Sequence, residues 1–347
     1  MNNKPPTIQI NTTDLVTKLL NNIEHERERA IIARRFGLFD RKETLEQIGE
    51  MLGITRERVR QLEKAVTIKL KSIGADNKIS DLTNFSQNLT NFLKANGDVL
   101  KTSEVAIKLY QASDKAEQSR IMFLALMSPD TTILNDNDNY FAAIALKSEF
   151  TDKKLVSSID NMIEIIKKQG KPCSILDLQK LTGNSNVKQL ESLASISKQL
   201  AYLNNHWGLI KWPTVNPRNI RDKIYVILKE NGKYMHFNDI SNAIKKSDFK
   251  RKNVTTQAIH NELIKDKRFV LVGRGIYALT EWGYQKGTVA DIITKILKES
   301  GQPLHRDEIV KRVLKDRFVK ETTILLNLQG KKQFKRVSKA TYNLNEK

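Results

Sequence analysis

Side chains that can hydrogen-bond to nucleobases are concentrated in one short stretch, TRERVRQLE, at residues 55–63. Arginine offers paired donors, glutamate offers acceptors and glutamine offers both, and these groups distinguish base edges in a major groove. Val59 and Leu62 are three positions apart, a spacing typical of the buried face of a helix, and Thr55 is a suitable N-cap for that helix. The polar residues would then point outward.

A preceding helix is needed to hold this one in place, and residues 44–53, TLEQIGEMLG, have the pattern for it. Ile48 and Leu52 are four positions apart and share one helix face. Gly49 leaves room for the close approach of the following helix, and Gly53 can take the positive φ that ends the first helix. We therefore predict a helix–turn–helix whose second helix enters a major groove.

This predicted helix–turn–helix, residues 44–63, lies in a longer recognisable stretch. Residues 27–71 resemble region 4 of primary-type bacterial sigma factors, with the tracts RRFGL, TLEQIG and TRERVRQLE in the same order and at the same spacing. Upstream, Glu26 to Phe36 reads as an amphipathic helix that would cover the open side of the motif. The resemblance implies a segment that reads the −35 promoter element and docks on the RNA polymerase flap.

The resemblance also implies roles for individual side chains. Carried over by position, three residues would touch base edges: Arg56, Glu57 and Gln61. Four would lie near DNA phosphates: Thr55, Arg58, Arg60 and Lys64. The chemistry agrees, because arginine suits guanine, glutamate accepts from cytosine N4 and glutamine pairs with adenine. The alternative is a charged face that is merely solvated.

The sigma-like pattern is incomplete in this chain. A working sigma factor also needs region 2, whose aromatic cluster captures and melts the −10 element. Too few residues precede position 26 to supply it, and nothing downstream resembles it. We therefore expect a sigma-like segment attached to something else, which does not open promoters alone.

The rest of the chain repeats one pattern: a helix end, a glycine turn, a short apolar residue and a second amphipathic helix. The turn glycines are Gly97, Gly170, Gly232 and Gly301. Each repeat ends in an aromatic-centred strand, so we predict winged helices, that is, three-helix bundles with small β-wings. The predicted fold is mainly α, a helix–turn–helix module followed by tandem winged-helix-like units. The predicted divisions are 1–25 (an N-terminal helical segment), 26–73, 74–150, 151–217, 218–286 and 287–347.

The third repeat, residues 218–286, resembles the HARE-HTH domain family, and VTTQAIHNELIKDKRFVLVGRGIYALTEWGY is the telling stretch. That family occurs in the delta subunit of bacterial RNA polymerase, in chromatin regulators and in some restriction enzymes. The fourth repeat, 287–347, is similar more loosely, since it lacks the GRG turn and the EWGY tail.

Candidate DNA contacts in the third repeat are basic. Lys250, Arg251 and Lys252 precede its predicted third helix and could clamp phosphates, and Arg274 stands at the predicted wing tip, placed to enter a minor groove. The alternative is that these residues have no binding role, since basic residues occur in any loop of so basic a chain. Lys331, Lys332, Lys335 and Arg336 form a similar patch in the fourth repeat.

Charge supports a polyanionic partner. The chain of 347 residues has a net charge of +20. Residues 218–347 hold 29 basic and 14 acidic residues, a net +15, whereas residues 74–217 hold 16 and 15, a net +1. DNA or RNA is the usual partner of such a surface, and an acidic protein is the alternative. We expect the neutral middle repeats to act as a spacer or a protein-docking surface.

Several classes of function are not expected. No apolar run approaches the ~20 residues that span a bilayer, and no signal pattern opens the chain, which indicates a cytoplasmic, nucleoid-associated protein without a membrane partner. One cysteine, Cys173, and five scattered histidines give no basis for a metal site. No enzyme motif is present, so we expect no catalysis, cofactor or small-molecule substrate.

The leading hypothesis is a transcription regulator or RNA polymerase accessory factor that binds double-stranded DNA. Its sigma-like module would supply sequence preference and its basic C-terminal repeats would supply affinity. Two alternatives stay open. The chain could be an interaction protein that docks on polymerase core through the flap, or an accessory DNA-binding subunit of a restriction or DNA-modification system.

Overall fold

The structure is a computed structural model that describes residues 11–76, 78–251 and 253–345. Its contacts divide the chain into two compact bodies, Met1–Lys211 and Trp212–Lys347, which we call the N-terminal and C-terminal bodies. The division falls at the start of the proline-containing stretch at residues 211–219. Within the described ranges, no helix is both long enough and apolar enough to cross a membrane.

The N-terminal body begins with four helices and continues with two repeats. The four helices are α1 (Thr12–Leu20), α2 (Glu26–Phe36), α3 (Leu45–Leu52) and α4 (Arg56–Ala75). The first repeat contains α5 (Ser80–Ala95), β1 (Val99–Lys101), α6 (Thr102–Tyr110), α7 (Lys115–Met127), β2 (Thr131–Leu134) and β3 (Ala143–Leu146). The second contains α8 (Asp152–Gln169), β4 (Cys173–Ser174), α9 (Ile175–Thr182), α10 (Val187–Ile196), β5 (Leu200–Leu203) and β6 (His206–Leu209).

The C-terminal body consists of the third and fourth repeats. The third contains α11 (Ile220–Asn231), β7 (Met235–His236), α12 (Phe237–Lys246), α13 (Thr256–Lys265), β8 (Phe269–Gly273) and β9 (Ile276–Leu279). A short 3₁₀ turn, Thr280–Trp282, follows. The fourth contains α14 (Val289–Ser300), β10 (Leu304–His305), α15 (Arg306–Asp316), α16 (Glu321–Gly330), β11 (Phe334–Ser338) and β12 (Thr341–Leu344).

All four repeats share one topology. In each, the first short strand pairs antiparallel with the last strand, which also pairs with the middle one, giving the orders β1-β3-β2, β4-β6-β5, β7-β9-β8 and β10-β12-β11. Mainly helical architecture with small three-stranded sheets confirms the predicted fold class and is consistent with helix–turn–helix and winged-helix units. The residues that follow each turn glycine by three positions lie on the first strand: Leu100, Cys173, Met235 and Leu304.

Most of the buried residues of α1 and of the second half of α4 share a core with the first repeat. Leu15, Leu19, Val66 and Leu70 are buried in the same cluster as Phe123 of α7 and other apolar residues of the first repeat. Because α4 runs from the helix–turn–helix directly into this cluster, its second half belongs to the core of the next segment. The predicted division at residues 73 and 74 therefore crosses one continuous core, and the six-part division otherwise stays a prediction.

The second repeat packs against the first through a close backbone approach. A Cβ built on Gly97 would lie 2.5 Å from the amide nitrogen of Gln189 in α10, so no side chain fits there. Gln189 in turn donates through Nε2 to Asp98 at 3.1 Å, and Lys188 donates to the Ala95 carbonyl at 2.9 Å. The two neutral repeats are thus one packed assembly.

In the C-terminal body, Arg317 joins the two repeats. Its side chain is 5% exposed, and its guanidinium donates to the carbonyls of Leu271, Gln285 and Gly287. Its neighbour Phe318 donates its amide to the Val272 carbonyl at 2.8 Å. Burial lowers the pKa of Arg317 from its usual value, which reflects the desolvation of this cation.

Candidate nucleic-acid interface

The helix–turn–helix is held by close contact between its two helices. A Cβ built on Gly49 would lie 2.7 Å from the carbonyl oxygen of Ile54, so only glycine allows α3 and the following turn to approach this closely. Gly53 ends α3 with φ 62°, in the left-handed region. Thr55 caps α4, because its side chain accepts a hydrogen bond from the Arg58 amide at 3.2 Å. These three predicted features are confirmed.

A small local core then sets the rotation of α4. Ile31, Ile48 and Val59 are buried together, one from each of α2, α3 and α4. Outside this core, Arg35 of α2 pairs with Glu63 of α4 at 3.3 Å. With Val59 pointing inward, the opposite side of the first turns of α4 must face solvent.

The solvent-facing side of α4 carries the predicted base and phosphate contacts. All seven residues are exposed: Thr55, Arg56, Glu57, Arg58, Arg60, Gln61 and Lys64. The four-residue spacing places Arg56, Arg60 and Lys64 in one row along the helix and Glu57 and Gln61 in the adjacent row. The structure therefore brings these side chains together on one accessible face, and their individual contacts with DNA stay predictions.

Glu57 forms an ion pair with Arg60 on this face. Arg60 donates to its two carboxylate oxygens at 2.8 and 2.6 Å, and these hydrogen bonds hold the pKa of Glu57 below its ordinary value. Glu57 therefore keeps its acceptor oxygens ionised at lower pH than a free glutamate would. Since the pair is exposed, it contributes little to stability, but it orients the two side chains.

Two further contacts order the same face. Arg56 pairs with Glu46 of α3 at 3.1 Å, and both side chains remain about two-thirds exposed. Arg58 donates to the amide oxygen of Gln61 at 3.4 Å. Sequence reasoning did not single out Glu46. Glu46 precedes Arg56 by ten residues and lies in a different helix. Helix periodicity therefore does not predict that the two side chains are paired.

In the third repeat, the predicted phosphate contacts lie in the turn between α12 and α13. Lys250 and Arg251 are exposed there, whereas Lys252 lies outside the described residues. The backbone of Arg251 has φ 54°, and its carbonyl accepts a hydrogen bond from Lys223 at 2.7 Å. Lys223 is 3% exposed, and burial lowers its pKa. Lys223 lies on the apolar face of α11, four residues before Ile227. This position is a sequence feature from which its burial could have been predicted.

Arg274 and His260 have different surroundings. Arg274 is exposed in the turn between β8 and β9, as predicted for the wing tip. His260 lies in α13, where its Nε2 is 3.3 Å from the Tyr277 hydroxyl and its ring contacts Phe237. The half-buried imidazole thus belongs to an aromatic cluster with Phe237 and Tyr277.

The comparisons with known proteins concern the helix–turn–helix segment. The family model described as Sigma-70, region 4 matches residues 25–72. The RNA polymerase sigma factor RpoD of Helicobacter pylori is 54% identical over 50 residues, which are 14% of this chain and 8% of that protein. The RNA polymerase sigma factor sigB of Arabidopsis thaliana is 48% identical over 54 residues, 15% of this chain and 9% of that protein.

A third relative, the RNA polymerase sigma factor SigA of a Bacillus species, is 42% identical over 57 residues, 16% of this chain and 15% of that protein. The aligned parts thus span less than a sixth of each of these relatives. The likeness places a sigma-type helix–turn–helix at residues 25–72, which agrees with the predicted resemblance. In the described parts of the chain, three or more His, Cys, Asp or Glu side chains nowhere come together as metal ligands would.

Proposed function

We propose that this chain is a transcription factor that binds double-stranded DNA and reads promoter-like sequence through the exposed side of α4. One observation carries the proposal: the segment that matches sigma region 4 presents Arg56, Glu57 and Gln61 on one accessible helix face. These side-chain types distinguish base edges in a major groove. The test is selection of bound duplexes from a random pool by the full chain. A motif related to a −35 hexamer is expected, and a pool without enrichment contradicts the proposal.

We further propose that the C-terminal body adds affinity that does not depend on sequence. The resemblance of its third repeat to HARE-HTH domains and its net charge of +15 over residues 218–347 support this role. Exposed basic residues at the turn before α13, Lys250 and Arg251, are suited to phosphate contacts, which position a protein on DNA without reading sequence.

RNA polymerase core is proposed as a second partner. The relatives that match residues 25–72 are named RNA polymerase sigma factors, which favours docking of the same segment on the flap. The experiment is a pull-down of polymerase core with the full chain and with a variant in which Arg56, Glu57 and Gln61 are all alanine. Retention of polymerase by both proteins supports a docking surface separate from the base-reading face. Failure of the variant alone to retain polymerase contradicts that separation.

Arg56→Ala is expected to reduce the preference for one base position by about 1–3 kcal/mol, because the alanine variant cannot hydrogen-bond to a base edge there. The measurement is binding to the selected duplex and to its single-base variants. The control is Arg251→Ala, which should weaken binding to all these duplexes alike. Equal, sequence-blind weakening in both variants would contradict the assigned roles.

A further inference from the structure

The four wings have the same fold but very different charge. From the first residue of the middle strand to the last residue of the final strand, the first wing holds Asp136 and Asp138 and no cation. The second holds no lysine, arginine or carboxylate, and the third holds Arg274 alone. The fourth holds Lys335, Arg336 and Lys339 and no carboxylate. Because the fold is constant, the structural role of a wing does not require this charge.

The cations of the fourth wing are accessible. Lys335, Arg336 and Lys339 are all exposed, and so is Lys332 in the turn that leads into the wing. The strand β11 is at the edge of its sheet, since it pairs with β12 alone. Only Phe334, at the start of β11, is buried. The side chains that follow Phe334 therefore project from the body.

Several other cations of the C-terminal body have carboxylate partners. Arg268 contacts Asp222 and Asp266, Lys229 contacts Glu281, and Arg312 contacts Glu308. Among the described residues, no carboxylate lies within 4.0 Å of the three wing cations or of Lys332. The neighbouring Lys331 differs from these cations, because its charge helps to lower the pKa of Asp291.

We propose that the fourth wing is a binding surface for the phosphate backbone of duplex DNA, formed by Lys332, Lys335, Arg336 and Lys339. This inference rests on the proposed function and assigns its sequence-independent affinity to one element. Phosphate contacts need accessible cations and no apolar pocket. A protein partner would need an apolar patch to bury, and Val337 is the one large apolar side chain exposed on β11. The wing therefore fits a polyanion better than an acidic protein.

The experiment uses the full chain with four substitutions, K332Q, K335Q, R336Q and K339Q. The affinity for a random-sequence duplex is measured against salt concentration. Removing one phosphate-binding cation should reduce the slope of log affinity against log salt by about 0.9, so a slope shallower by up to about 3.6 is expected for four. The matched control, K153Q, K154Q, K167Q and K168Q, removes four exposed lysines from α8 and should leave the slope near that of the wild type.

Two results overturn the inference: a wild-type slope in the wing variant, or an equal reduction of slope in the α8 variant, which would indicate an effect of net charge alone. Sequence preference is measured in parallel with the selected duplex. A wing variant with a shallower slope and the wild-type preference supports both proposals. A wild type without sequence preference, whose slope still depends on the wing, refutes the proposed reading of promoter-like DNA and leaves the wing inference standing.

Discussion

Phe123→Ala is expected to destabilise the helix–turn–helix by about 3–5 kcal/mol, although Phe123 lies outside the segment that resembles sigma region 4. The ring of Phe123 is fully buried and lies 5.0 Å from the ring of Phe36 at the end of α2. Its removal leaves a cavity where α2, α4 and α7 share one core. The effect should appear as a lower free energy of unfolding in urea.

Amide hydrogen exchange locates this effect. In Phe123→Ala, the amides of α2 and α4 should become less protected together with those of α7. The control is Phe269→Ala in the C-terminal body, where the side chain is 3% exposed, and it should leave α2 and α4 protected. If α2 and α4 keep full protection while α7 does not, the helix–turn–helix folds as a separate unit and the shared core has no energetic role.

The second large effect is expected for Arg317→Ala. This substitution should lower the free energy of unfolding of the C-terminal body by about 2–5 kcal/mol. The substitution removes the charged donor of three partly buried hydrogen bonds, and a hydrogen bond to a charged group contributes about 1.5–3 kcal/mol. The desolvation of the arginine, which lowers its pKa, offsets part of that contribution in the wild type. The measurement is thermal and urea unfolding of the full chain, monitored by exchange of amides in β8 and α15.

Arg312→Ala provides the matched control for this prediction. Arg312 lies about one turn earlier, in α15, and forms an exposed pair with Glu308 at 2.7 Å. An exposed pair of this kind contributes less than about 1 kcal/mol. Similar stability of the two variants would show that the contacts of Arg317 do not join the third and fourth repeats.

The helix–turn–helix could be predicted closely from the residues because its determinants are local. Gly49, Gly53 and Thr55 act within a few residues of their own positions, through close approach, positive φ and capping. His236 and His305 act as locally, since each caps the helix that follows it and accepts a hydrogen bond from the amide of Asn238 or Asp307. The four repeats were detectable for the same reason, as each has its own glycine turn and its own apolar spacing.

Contacts between distant segments could not be predicted in this way. Nothing in the spacing of α4 indicates that Val66 and Leu70 would be buried with Phe123 instead of in a core of their own. Likewise, the sequence does not distinguish Arg317 from the other arginines of this basic chain. Its role depends on three carbonyl partners that lie 30 to 46 residues earlier. Even the pairing of Glu57 with Arg60, although local, depends on the rotamers chosen on an exposed face.

The amino-acid order alone thus specified a sigma-like helix–turn–helix, the outward side of residues 55–64 and a series of small helical units with sheets. Helix periodicity, caps and turns are set by neighbours within about one or two turns. Tertiary packing decided which of these units share a core, which cations are neutralised and which remain free. Those outcomes depend on contacts between side chains that are far apart in the chain, and short-range periodicity does not indicate such contacts.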